Sequence, residues 1–173
     1  MVVDAIKAGV VLFLCAVVQS SILNGVDLLT GTPDLVLVAL VAVALLRGSV
    51  FGSIAGFWAG LVLDTATLQT LGVTALLLTI AGFWIGRYGE TTARDRTHAP
   101  FLSVVVVTIL LTIGALLLDY VLGESTPAGA AFSTLPMTVV LNLVLIVPVY
   151  ALARRLFPPR EAGDRAREVH LLG

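Results

Sequence analysis

From Thr32 to Asp64 the chain reads TPDLVLVALVAVALLRGSVFGSIAGFWAGLVLD, and between Leu35 and Leu63 its only ionisable side chain is Arg47. The apolar run begins near Leu28, so it is too long for one membrane helix, which takes about 20 residues. Arg47-Gly48-Ser49 breaks it at the middle. The stretch therefore predicts a tight helical hairpin turning at Arg47, with one arm from Leu28 to Arg47 and the other from Val50 to Leu63. Thr32-Pro33-Asp34 has the order of a helix cap, a first-turn proline and a first-turn carboxylate. If Asp34 and Asp64 bound the two arms, both are short for a bilayer and must be thin or tilted.

The composition of the whole chain agrees with lipid as its solvent. Of 173 residues, 58% are hydrophobic and 12% are charged, and the mean hydropathy is +1.06. Soluble domains carry roughly 45–50% apolar and about 25% charged residues, and a domain this small cannot hide such an excess in an aqueous core. Disorder, a disulfide scaffold and a nucleic-acid module are excluded by the same numbers. The single cysteine, Cys15, lies inside an apolar run and reads as a small buried hydrophobe.

Outward from the hairpin, four more apolar runs appear. They cover about Ala5–Leu23, Leu71–Tyr88, Pro100–Leu122 and Thr134–Leu156. The first lacks a small-x-small cleavage site and reads as a retained span, not a removed signal peptide. Six spans place alternate connections on the same side, and the charges test that count. The connections after spans one, three and five contain no lysine or arginine. All 10 basic residues fall on the other side: Lys7, Arg47, Arg87, Arg94, Arg96, Arg154, Arg155, Arg160, Arg165 and Arg167. The positive-inside rule then puts both termini in the cytoplasm. The reading is an all-α integral membrane protein of six transmembrane helices over residues 1–157, with a short polar cytoplasmic tail over 158–173.

Two sets of residues stand out within this frame. Gly48, Gly52, Gly56 and Gly60 recur every four residues, so they share one helix face. In lipid such a stripe is a close-packing surface, either within the chain or toward another subunit. Gly82 and Gly86 repeat the device once and can supply the facing surface. The second set is Asp34, Asp64 and Asp119, near the outer ends of their spans and joined by Gln19. Asp34 meets the positive end of a helix dipole. Asp64 and Asp119 sit near helix C-termini, where a negative charge is disfavoured. Three fates are open to them: outer headgroup water, protonation or bonding to threonines such as Thr65 and Thr67, and a cation from a partner or ligand. Asn142 and Pro148 interrupt span six, and an amide at mid-depth wants a partner on another helix.

No catalytic set emerges. His98, His170 and Cys15 fall in separate segments, and no clustered metal-ligand spacing is present, so neither a nucleophile–base pair nor a cofactor is expected. Two aspartates on separate helices raise an intramembrane aspartyl protease of the lipoprotein signal peptidase kind. The Asn-x-x-Asp-Arg-type sequence of that family is missing around Asp64 and Asp119.

Pro33-Asp34-Leu35, Leu46-Arg47-Gly48, Gly52, Gly56-Phe57, Gly60-Leu61, Asp64 and Leu71-Gly72 together resemble, in order and spacing, the MreD family of rod shape-determining membrane proteins. The resemblance implies a non-enzymatic scaffold of the bacterial cell-wall elongation complex, in the plasma membrane. It implies an MreC-like scaffold protein as partner, with a RodA-like glycosyltransferase, a class B transpeptidase and an MreB-like actin as further partners. Membrane lipid is expected around it, and a homo-oligomer is left open. MreD-like proteins are also similar in fold to the substrate-binding S components of energy-coupling-factor vitamin transporters, and a small-molecule uptake subunit is the alternative. An S component is expected to show an Ala-x-x-x-Ala motif early in span one, where this chain has only Ala5 and Gly9 at that spacing. Under the transporter reading, the outer carboxylates are the place for a ligand.

Overall fold

The computed structural model describes residues 2–21, 31–68, 70–93, 98–123 and 128–157. The hairpin stretch becomes two helices, α2 (Leu35–Arg47) and α3 (Ser49–Thr67), flanked by α1 (Val2–Ser21), α4 (Val73–Tyr88), α5 (Ala99–Leu122) and α6 (Ala128–Leu156). No strand occurs among the described residues. By length and composition, α1, α3, α5 and α6 can each cross a membrane, and α2 is a shorter apolar helix. The expected tail, 158–173, lies outside the described residues, as do most of the first and fifth connections.

Several boundaries differ from expectation. Helix α2 starts at Leu35, not near Leu28, because Asp34 itself is the cap: its carboxylate accepts the Leu37 N–H at 2.9 Å. The expected cap at Thr32 is thus displaced by two residues, because Asp34 makes the capping bond and the helix starts after it. The turn at the other end needs Gly48, whose φ of +95° lies in the region that favours glycine. Helix α3 runs past Asp64 to Thr67, where Thr65 and Thr67 turn their hydroxyls back onto carbonyls of their own helix at Leu61, Val62 and Leu63. Helix α6 begins at Ala128, not Thr134. The alanine-rich opening favours helix without being strongly apolar. The polar segment after α4 is not all loop, because residues Gly89–Ala93 continue as a π-helical turn.

Helix α2 is the centre of the bundle. Every residue from Val36 to Ala44 is buried, and α2 contacts each of the other five helices. A sequence apolar on all faces suits that position, since it presents no side to water. The outer helices instead expose large apolar residues, among them Ile54 and Trp58 on α3, Leu76 and Trp84 on α4, Leu110 on α5 and Val144 on α6. Exposed apolar surface spread over so many helices suits lipid and would be an aggregation liability in water.

Helices α3 and α4 meet backbone to backbone. A Cβ added to Gly56 would lie 2.7 Å from the Leu78 carbonyl carbon, and one on Gly82 would lie 2.6 Å from that of Gly52. Gly60 faces Thr74 and Ala75, and Gly86 faces Gly48 and Ser49. The stripe therefore packs within the chain. Gly9 on α1 is the contrast, with nothing within 4 Å of its added Cβ.

Gly52→Ala, Gly56→Ala and Gly82→Ala are each expected to destabilise the protein by about 1–3 kcal/mol, because the obstructing atoms are backbone and the helices must part. Gly9→Ala should cost nothing. Thermal unfolding of the purified protein in one detergent checks this, and equal midpoints for Gly56→Ala and Gly9→Ala would contradict the seam.

Candidate functional site

Several polar side chains close helix termini. The first residues of any helix leave N–H groups without partners inside it. At the start of α2, Gln19 on α1 accepts the Val36 N–H at 2.8 Å, and Asn142, from the middle of α6, accepts the Asp34 N–H at 2.8 Å. Asn142 also donates to the Thr108 hydroxyl of α5 at 3.1 Å and is fully buried. Helices α1, α5 and α6 are thus tied together at the start of α2.

Asp64 does the same for α4. Its side chain is not in headgroup water, since the residue is 1% exposed. One carboxylate oxygen accepts the Gly72 N–H at 2.8 Å, with longer contacts to the N–H groups of Thr74 at 3.3 Å and Ala75 at 3.4 Å. Neither Thr65 nor Thr67 bonds to it, because both hydroxyls turn back onto their own helix. A carboxylate at the end of α3 is unfavourable for α3 but favourable for the antiparallel α4, whose positive end lies beside it.

The opposite end mirrors this. Glu90, just past α4, accepts from the Ser49 N–H at 2.8 Å and from the Ser49 hydroxyl at 3.1 Å, closing the start of α3. Beside it, Arg47 does not reach outward from the turn. Its side chain is 6% exposed, pairs with Asp4 at 3.2 Å and lies 5.4 Å over the Phe157 ring. That contact joins the end of α2 to the start of α1 and the end of α6.

The signal that finds this arrangement is a repeat. Ala55-Gly56-Phe57-Trp58-Ala59-Gly60 and Ala81-Gly82-Phe83-Trp84-Ile85-Gly86 share the pattern Ala-Gly-Phe-Trp-x-Gly. Four residues after each closing glycine comes a carboxylate, Asp64 in one case and Glu90 in the other. Each helix carries the glycines of the seam and the acid that caps its neighbour. Composition and single-residue spacing treat Glu90 as part of a polar loop and so miss it.

The expected site residues therefore separate. Gln19 and Asp34 line a cavity of about 320 Å³ together with Asn142 and several threonines, while Asp64 and Asp119 do not. Asp119 is half-buried near the end of α5. A larger, apolar groove of about 570 Å³ runs between α1 and α3, lined by Ala5, Gly9, Phe13, Ile54 and Trp58 among others. Among the described residues no group of histidine, cysteine or acidic side chains is placed to hold a metal ion.

These features define a helical membrane protein whose polar groups serve mainly to close its own helix ends. Residues 5–156 match the profile of the rod shape-determining protein MreD, which is nearly the whole chain. The chain belongs to the MreD family. It is a rod-shape-determining protein of the bacterial cytoplasmic membrane, tied to cell shape and the elongation machinery. No curated protein and no solved structure matches the chain.

Capping by Asp64 predicts a graded series. Asp64→Asn keeps one acceptor and should cost little, whereas Asp64→Ala leaves buried N–H groups unmet and should cost about 1–3 kcal/mol. Arg47→Ala should also destabilise, because it removes both the pair with Asp4 and the packing over the Phe157 ring. Thermal unfolding ranks the three variants, and Asp64→Ala as stable as wild type would show that the carboxylate is not a working cap.

Proposed function

We propose that the chain is a non-enzymatic scaffold that crosses the membrane six times, with both termini in the cytoplasm, and acts with an MreC-like partner in the elongation complex. The observation that carries this reading is the consumption of its buried polar groups by structure. Gln19, Asp34, Asp64, Glu90 and Asn142 all hold helix ends, which leaves them engaged and unsuited to acid–base work. The segregation of basic residues supports the topology, and residues 1–157 are the membrane domain with 158–173 as its cytoplasmic tail.

The groove between α1 and α3 is the place for the membrane span of the partner. Small residues at Ala5 and Gly9 and the exposed face of Trp58 leave room for a helix to approach closely, which is how helices associate in lipid. RodA-like, transpeptidase and MreB-like proteins belong to the same complex as more distant partners. An uptake subunit of the S-component type is the second reading, favoured by the polar cavity beside Asp34.

Copurification from the native membrane separates the two. An MreC-like protein should accompany the tagged chain, and Gly9→Leu should lose it while keeping the unfolding midpoint of wild type. Recovery of an ATPase pair with a transmembrane coupler instead would favour uptake. The topology has its own check in a Cys15→Ser background. Cysteines at Thr92 and Ser125 should react oppositely with an impermeant thiol reagent, and labelling of both from outside intact cells would contradict six spans.

A further inference from the structure

The cavity at the start of α2 has a chemistry of its own. Its volume of about 320 Å³ lies at the small end of the range for small-molecule sites, roughly 300–1,000 Å³. Side chains from all six helices and from the Asp34 cap line it, among them Gln19, Asp34, Thr112, Thr134, Thr138 and Asn142. No lysine, arginine or histidine lines it.

Three of the six threonines that line it face it as acceptors. Thr112 donates its hydroxyl to the Thr108 carbonyl at 2.9 Å, Thr134 to that of Ala131 at 3.0 Å, and Thr138 to that of Thr134 at 3.1 Å. A hydroxyl has one proton and two lone pairs, so with its proton bonded to its own helix each oxygen can only accept. Asp34 is a further acceptor. A lining with these acceptors and without a basic side chain repels anions and calls for a ligand that brings donors. The carboxylate of Asp34 already accepts the Leu37 N–H at the positive end of α2, so a ligand need not bring a full charge to meet it. A neutral molecule with several hydroxyls meets these terms, and the apolar side chains beside them, such as Leu37 and Leu111, suit the carbon face of such a molecule.

We infer that this cavity is a binding site for a neutral polyhydroxyl group of sugar type, carried either by a free sugar or by the head group of a glycolipid. The site goes beyond the scaffold role and does not depend on it, since copurification with an MreC-like partner neither requires nor excludes an occupied cavity.

Thermal unfolding of the full chain, purified in a detergent without a sugar head group, tests this with four probes. Glucose and ethanolamine hydrochloride are titrated into the detergent sample, and so is sodium phosphate. Monoglucosyl diacylglycerol is incorporated into a parallel bilayer sample. Ligand that binds only the folded state raises the midpoint with its concentration and affinity. Glucose or the glycolipid should stabilise the protein saturably, and whichever does so identifies the source.

The double variant Thr112→Val/Thr138→Val removes two acceptors and preserves shape. Each lost hydrogen bond should weaken binding about fivefold, so the apparent affinity should fall roughly 25-fold. The ligand-free midpoint should stay near that of wild type, because the lost hydroxyls bond only to their own helices. Stabilisation of equal size in wild type and variant would be general exclusion of sugar from the surface and would overturn the proposal. So would no response to either sugar probe, or a response to ethanolamine or phosphate in their place.

Discussion

A helix of thirteen residues is about 20 Å long, and the hydrocarbon core of a bilayer is about 30 Å thick. Helix α2 is such a helix, and it lies at the centre of the bundle. Its first N–H groups cannot all reach water, and in hydrocarbon each unmet group costs several kcal/mol. The protein answers by bringing acceptors to them. Asp34 supplies one to Leu37 and Gln19 of α1 one to Val36, while Asn142 of α6 holds the N–H of the cap residue Asp34 itself. The positions of α1 and α6 around α2 are set as much by those contacts as by apolar packing.

The same constraint shapes α4, which has sixteen residues and starts beside Asp64. Here the acceptor comes from the neighbouring helix, and Glu90 returns the contact at the other end. Glycine makes the exchange feasible. Only with backbones in contact along Gly52, Gly56 and Gly82 do the two antiparallel helices lie close enough for each carboxylate to reach the start of the other. The seam and the caps are one device, and the outer faces of both helices are left apolar for lipid or for other proteins. A block of this kind suits a member of a shape-determining family of membrane proteins.

Much of this is legible in the sequence, for particular reasons. Lipid as solvent follows from composition, and the hairpin at Arg47 from the one charge in the run between Leu35 and Leu63. The glycine stripe is readable because helical periodicity puts its members on one face. The destinations of the carboxylates are not readable from position alone. Asp64 lies near the C-terminus of its own helix, where charge is disfavoured, and only the antiparallel neighbour turns that cost into a gain. Arg47 reads as a cytoplasmic anchor, yet its guanidinium turns inward because Asp4 and Phe157, remote in sequence, stand beside it. The late start of α2 follows from Pro33 and Asp34. Apolarity upstream of them conceals it, because a hydrophobic run does not say where a helix begins.

Residue-resolved amide hydrogen exchange in lipid nanodiscs tests the central claim most directly. First-turn N–H groups of an ordinary helix exchange quickly, having no partner within it. Here those of Val36, Ser49 and Gly72 should be protected like the interior amide of Val41. Asp64→Ala should release the Gly72 amide and its neighbours at the start of α4 while leaving Val36 protected. Fast exchange at all three positions in wild type, or protection at Gly72 that survives Asp64→Ala, would contradict the account that side chains from neighbouring elements close these helices.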